Sequence, residues 1–268
     1  MLWNIKNGSV KTGDQIMYYT VFGSGSKTLV MIPGLSDGLT TVKGKALLLI
    51  KPYLKYLRDY TVYFFSRKSP LPEGTTIRQM AEDQAEAMRQ LGIHKACVTG
   101  VSQGGMISQY LAADHPGLVE KLALVVTAPC LNDTIRSNIE LWMSYAKNGD
   151  HASLMKDTAE KSYSDAYLRE YRLMLPLLGL TGKPKSYSRF NVNSEAILGF
   201  DAREADSGIS CPTIIISGDS DKTVGSDAAG ELHSLIKGSE LYIYKGLGHA
   251  LYEEATDFYE RLFTFFNK

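Results

Sequence analysis

Apolar and polar positions along this chain follow two rhythms. In "SVKTGDQIMYYTVFG" (9–23) they alternate and break at Thr12-Gly13-Asp14, which predicts a β-hairpin. "TLVMIPG" (28–34) is a continuous apolar run closed by Pro33-Gly34, as expected of a fully buried strand. An amphipathic stretch follows around 46–58, then a second buried-strand pattern, "YTVYFFS" (60–66). In "TTIRQMAEDQAEAMRQLGI" (75–93) the apolar residues Ile77, Met80, Ala81, Ala87, Met88 and Leu91 recur at helical spacing, with Gln84 the one polar residue on that face. Thr75 or Thr76 can cap this helix and Gly92 ends it.

"KACVTG" then reads as a strand, "QGGMISQYLAADHPG" as a helix ending near His115-Pro116, and "KLALVVTAP" (121–129) as a further strand. Strand and helix alternate, which predicts an α/β fold with a mostly parallel sheet covered on both faces. From about 131 to 206 the rhythm changes. No buried strand is evident, and helical patterns rich in Trp, Tyr, Met and Leu take over. Strand and helix resume with "CPTIIISGDSD", "GSDAAGELHSLIKG", "ELYIYKG" and a last helix, "EEATDFYERLFTFFNK". Residues 1–130 and 207–268 are therefore expected to form one α/β core, and 131–206 a helical insertion.

Composition narrows the function classes. The chain has 268 residues, enough for one large domain or a domain with an insertion. Its 29 basic and 29 acidic residues give no net charge, so nothing favours a nucleic-acid partner. The longest aliphatic run, "ALLLI" (46–50), is too short to span a membrane, and the N-terminus shows no signal-peptide pattern. A cytoplasmic protein with no membrane association is expected. Cys97, Cys130 and Cys211 are widely spaced in or beside apolar stretches and are read as reduced and buried. No His-Glu-x-x-His and no cysteine pair at zinc spacing suggests a metal site. "GSGSKT" (23–28) lacks the order of a phosphate loop and precedes its strand, so it reads as a turn.

The candidate chemistry centres on "ACVTGVSQGGM" (96–106). Glycines at 100 and 104 flank Ser102 where a strand turns sharply into a helix. Small residues there let strand and helix pass close together, which exposes a serine hydroxyl at a helix N-terminus. A serine needs a base, and the base an orienting acid. In this architecture they should follow in the order serine, acid, histidine. Asp219 and Asp221 follow the "PTIIIS" strand, and His249 follows the next strand in "KGLGHA". Each alone suits an ordinary turn. Together they form an ordered set at three strand ends, where ligands bind in open α/β sheets. The other histidines, His94, His115, His151 and His233, read as surface residues with no paired acid.

With "PGLSDG", "GVSQGG", "GDSDKTV" and "GLGHALYEE" the chain resembles the α/β-hydrolase family along nearly its whole length. The resemblance implies a twisted eight-stranded-type sheet with helices on both faces and a helical cap at 131–206. It favours Asp221 over Asp219 as the triad acid, with Asp133 an outside candidate. It also implies an oxyanion hole made by the backbone N–H groups of Gln103 and Leu35, although Pro33-Gly34 replaces the common His-Gly of that loop. Aromatic and Met positions of the cap are expected mostly to pack, with Trp142, Tyr145, Tyr171 and Met174 as candidates to line an acyl pocket.

The expected function is a cofactor-free serine hydrolase acting on a small-molecule acyl substrate, an ester first. The same triad could serve carbon–carbon bond hydrolysis, acyl transfer or perhydrolysis, and a non-catalytic ligand sensor is the alternative from another class. An aspartate at the elbow would have suggested dehalogenase or epoxide chemistry, which Ser102 argues against. Nothing in the sequence sets the oligomeric state.

Overall fold

A computed structural model describes residues 3–171, 179 and 182–268. Among these residues eight strands form one open sheet in the order β1-β2-β4-β3-β5-β6-β7-β8. They are β1 (Lys6–Thr12), β2 (Gln15–Gly23), β3 (Lys27–Ile32), β4 (Tyr60–Ser69), β5 (Ala96–Val101), β6 (Val119–Val125), β7 (Thr213–Gly218) and β8 (Glu240–Tyr244). The first hairpin turns at Gly13, whose φ of 61° suits glycine, and β1 and β2 pair antiparallel. From β4 to β8 every neighbouring pair is parallel. The chain passes from β3 outward to β4 and returns on the other side to β5. The sheet's switch point therefore lies between β3 and β5, the place where open α/β sheets bind ligands.

The continuous apolar runs are central strands because both their faces are covered. One face packs Val30, Ile32, Val98 and Leu124 against helices Ile77–Gln90 and Gln103–Asp114. The other packs Leu29, Cys97, Val125 and Ile216 against the segment 46–57 and helix Phe258–Asn267. The first helix is capped as its sequence predicts. Thr76 Oγ1 accepts from Gln79 N–H at 3.2 Å, and Gln79 Oε1 accepts from Thr76 N–H at 2.8 Å, a reciprocal capping box. Gln84 on its inner face is fully buried and donates to the Ser66 carbonyl at 3.3 Å, so its amide nitrogen is answered by backbone while its oxygen has no partner among the described residues.

Between β6 and β7 the described elements are all helical: Asp133–Lys147, His151–Ser162, Asp165–Glu170, Ser188–Leu198 and Arg203–Asp206. The two ends of this segment are fastened together. Leu131 N–H donates to the Phe200 carbonyl at 3.0 Å, and Ala202 N–H to the Pro129 carbonyl at 2.8 Å.

Several sequence readings need correction. The amphipathic stretch 46–58 is not one continuous element. It is a four-residue helix, Ala46–Leu49, followed by a 3₁₀ helix, Lys51–Tyr56, and it leaves Leu47 and Leu48 exposed. The run "ALLLIKP" is short of polar spacing, and Pro52 removes a helical donor. His151 is buried within the helical segment, and His115 pairs with Glu82 at 2.8 Å. Both readings failed because the acid and the covering surface come from distant sequence. Cys97 is buried, but Cys130 and Cys211 are only half-buried; all three are free thiols.

Candidate active site

Ser102 follows the last residue of β5 and carries φ 54° and ψ −121°, a conformation that costs a non-glycine residue about 1–3 kcal/mol. Packing around it holds that shape. Its N–H donates to the Val125 carbonyl at 2.9 Å, and its carbonyl accepts from Thr127 Oγ1 at 2.8 Å. Val126, between those two partners, also has a positive φ of 45°. The glycines are needed for space. A Cβ on Gly104 would overlap the Ile32 carbonyl oxygen, and one on Gly100 would overlap that of Gly104. Ser102 Oγ makes no hydrogen bond among the described residues. The loop after β3 lies directly beside it: a Cβ on Gly34 would stand 3.2 Å from Ser102 Cβ and 3.8 Å from its Oγ.

That approach brings two helix starts to the serine. Gln103 is the first residue of helix Gln103–Asp114, and Leu35 is the first of the 3₁₀ helix Leu35–Gly38. The first N–H groups of a helix have no partner within it. Among the described residues the N–H groups of Gln103 and Leu35 therefore have no partner within their own helices.

The histidine and the acid meet at the neighbouring strand ends. His249 Nδ1 lies 2.8 Å from Asp221 Oδ2, and both residues are buried. Asp221 Oδ1 accepts from the N–H groups of Thr223 at 2.8 Å and Val224 at 3.0 Å. The carboxylate can therefore hold the imidazole with one oxygen while backbone fixes the other. Asp219 has a different task. Its Oδ1 accepts from Gly246 N–H at 2.7 Å and so ties the two loops together. Asp133 is exposed in the first turn of its helix, and the carboxylate bonded to His249 is that of Asp221.

The loops are braced from the helical segment, by residues that sequence reading missed. Asn138 Nδ2 donates to the Lys222 and Thr223 carbonyls at 2.9 and 3.0 Å, and Asn132 Nδ2 to the Val224 carbonyl at 2.8 Å. The Ser162 carbonyl accepts from Ala250 N–H at 2.8 Å, immediately after His249. Glu254 accepts from Ser164 N–H at 3.0 Å and from its hydroxyl at 2.5 Å. Their only sequence signal is an asparagine or glutamate where a helix would otherwise present an apolar or solvated residue.

Trp142 is buried and donates its indole N–H to Asp157 at 2.7 Å, while Tyr145 is half-buried against the same core. Tyr171 stacks on Tyr167 with ring centres 4.3 Å apart, and Tyr167 stacks in turn on Tyr163. Met174 lies outside the described residues. A groove of about 320 Å³ opens against Gly34 and Val101, walled by Leu48, Leu49, Tyr252 and Tyr259. Among the described residues no cluster of metal-ligating side chains occurs, and no helix is long and apolar enough to cross a membrane.

Residues 63–256 match the family described as "alpha/beta hydrolase fold". The chain belongs to the α/β-hydrolase family. Among its curated relatives within that family is the "AB hydrolase superfamily protein YisY" of Bacillus subtilis, 30% identical over 191 residues that cover 68% of this chain and 70% of YisY. Another, "Putative carbamate hydrolase RutD" of Serratia proteamaculans, is 24% identical over 197 residues, 73% of this chain and 74% of its own. Of solved α/β-hydrolase structures, the enol-lactonase of Burkholderia xenovorans superposes with a TM-score of 0.82 at 20% identity, covering 97% of this chain and 100% of the lactonase. That last likeness speaks for the fold alone.

Proposed function

We propose that the protein is a serine hydrolase that cleaves a small carboxylic ester through Ser102, His249 and Asp221. The observation that carries this reading is the buried His249–Asp221 pair at the sheet edge where Ser102 stands in its strained turn. With Nδ1 held by the carboxylate, Nε2 is the nitrogen left to take the Ser102 proton. Ser102 Oγ then attacks the carbonyl carbon, and the N–H groups of Leu35 and Gln103 receive the negative charge on its oxygen. His249 returns the proton to the departing alcohol, leaving an acyl-enzyme. Water, deprotonated by the same imidazole, releases the acid. Every step is proton transfer or acyl exchange, so the reaction calls for no cofactor.

The name of one curated relative supports a carbonyl substrate, since a carbamate is an acyl compound related to an ester. The groove beside Gly34 supports an apolar arm on that substrate, since Leu48 stands 71% exposed at its wall. We place the helical segment 131–206 over the site as a cap, and the enzyme in the cytoplasm.

The test is a panel of p-nitrophenyl acetate, butyrate and octanoate, with matched amide and thioester substrates, run on wild type and Ser102→Ala. Ester hydrolysis that is lost in Ser102→Ala, and that favours the longer chains, is expected. A wild type that cleaves no ester overturns the reading.

A further inference from the structure

The steps above use neither Asp37 nor Arg67, yet these two residues anchor a cluster of buried charge beside the elbow. Arg67, near the end of β4, is 1% exposed, and Asp37, in the 3₁₀ helix after β3, is 3% exposed. Arg67 Nη1 lies 3.5 Å from Asp37 Oδ2, and the same oxygen accepts from Arg67 N–H at 3.0 Å. Arg189, from helix Ser188–Leu198, also bonds that oxygen and donates to the backbone carbonyls of Arg67 and Lys68, each at 3.1 Å. Burial lowers the Arg67 pKa to about 10, with Asp37 opposing the shift and Arg189 adding to it. The guanidinium is charged at neutral pH.

This cluster reaches both donor segments. Arg67 Nη2 donates to Gln103 Oε1 at 2.7 Å, and Gln103 Nε2 donates to the Asn193 carbonyl at 2.8 Å. A guanidinium can only donate and a carbonyl can only accept, so the Gln103 amide has one orientation that satisfies both. On the other side, Asp37 is two residues from Leu35, and Gly38 packs so close to the Ser188–Leu198 helix that a Cβ there would stand 3.0 Å from Phe190 Cα. One helix and one arginine thus hold the two segments that begin with Leu35 and Gln103. Removing one partner leaves the other a buried, uncompensated charge, which opposes displacement of the cluster.

We propose that Arg67 and Asp37, together with helix Ser188–Leu198, are positioning residues for the oxyanion hole. Through Gln103 and the Leu35 turn they set where the two N–H groups point. The inference rests on the serine-hydrolase reading above. A displaced donor loses most of its effect on the transition state and little on substrate binding.

The experiment compares Arg67→Met, Arg67→Lys and Gln103→Met with wild type on the best ester of the panel. Gln103→Met removes the amide while keeping the backbone N–H, and it serves where Arg67→Met fails to fold. Three quantities are read: kcat and KM, inhibition by a trifluoromethyl ketone that mimics the tetrahedral adduct, and hydrogen exchange at the Leu35 and Gln103 amides. Positioning predicts kcat about 10²-fold lower in both Met variants with KM within about twofold, and inhibitor affinity weakened in parallel. Arg67→Lys, which keeps the charge, should recover part of kcat. Variants that melt earlier but keep kcat and inhibition within about threefold would show a cluster that only packs, and would overturn the proposal. A wild type inactive on every ester would sink the catalytic reading. Exchange would then still decide the positioning: about tenfold faster exchange at Leu35 and Gln103, with β1–β2 amides unchanged, supports it, and equal rates overturn it.

Discussion

Asp221 and Asp206 are hidden from solvent to nearly the same degree and answered in opposite ways. Asp221 has a partner for each oxygen, two backbone N–H groups on one and His249 on the other. Asp206, in the short helix Arg203–Asp206, has no hydrogen bond to either carboxylate oxygen among the described residues. Burial, reinforced by Asp201 and Glu231, pushes its carboxyl up to about 8. The contrast shows that burial alone does not give an aspartate the arrangement that the role proposed for Asp221 needs. Prearranged donors let a carboxylate hold a neighbour's proton in place, whereas an unanswered carboxyl keeps its own.

The largest expected effect is at Asp221. Asp221→Asn keeps the shape but loses the charge that orients the imidazole, and kcat should fall by about 10³–10⁴. A fall under tenfold in steady-state kinetics would mean that His249 does not depend on this acid. Next is Asp206→Asn, read as stability against pH. In the native protein Asp206 keeps its proton up to about 8, while in the unfolded chain it releases it near the ordinary 3.8. Between those values the unfolded state binds fewer protons, so stability falls as pH rises, by about 1.4 kcal/mol per unit at the steepest, and levels off above 8. Melting temperatures should show Asp206→Asn gaining on wild type from pH 5 to pH 8. A constant difference would remove the contrast.

Asn138→Ala comes third. It strips two carbonyls of the Asp221 loop of their donor, and a loss of about 1–2 kcal/mol with a modest drop in kcat is expected from thermal melts and kinetics together. The smallest effect is at Asp219→Asn. An amide oxygen can still accept from Gly246, so activity should stay within about threefold of wild type. A collapse of activity there would reopen the choice between the two aspartates.

The same contrast explains what was legible in the sequence. The elbow was readable because a positive-φ serine beside two close backbone approaches leaves its mark locally, as Gly100 and Gly104. The parallel sheet was readable because strands covered on both faces must be continuously apolar. The distinction between Asp219 and Asp221 was not local. It came only with the resemblance, since both residues suit a turn and the partners that tell them apart, Gly246 and His249, lie 27 and 28 residues downstream. Arg67 and Asp37 gave no signal, because a charged residue near a strand end or in the turn after a strand reads as solvated until Arg189, from a distant helix, bonds it. His151 failed for the same reason.

The measurement that bears most directly on the account is the reaction of the intact protein with a fluorophosphonate, with the modified residue located by mass spectrometry. The account predicts one adduct, on Ser102, absent from Ser102→Ala and formed far more slowly by His249→Ala. No adduct on folded wild-type protein, or one on any other residue with Ser102 untouched, would contradict it.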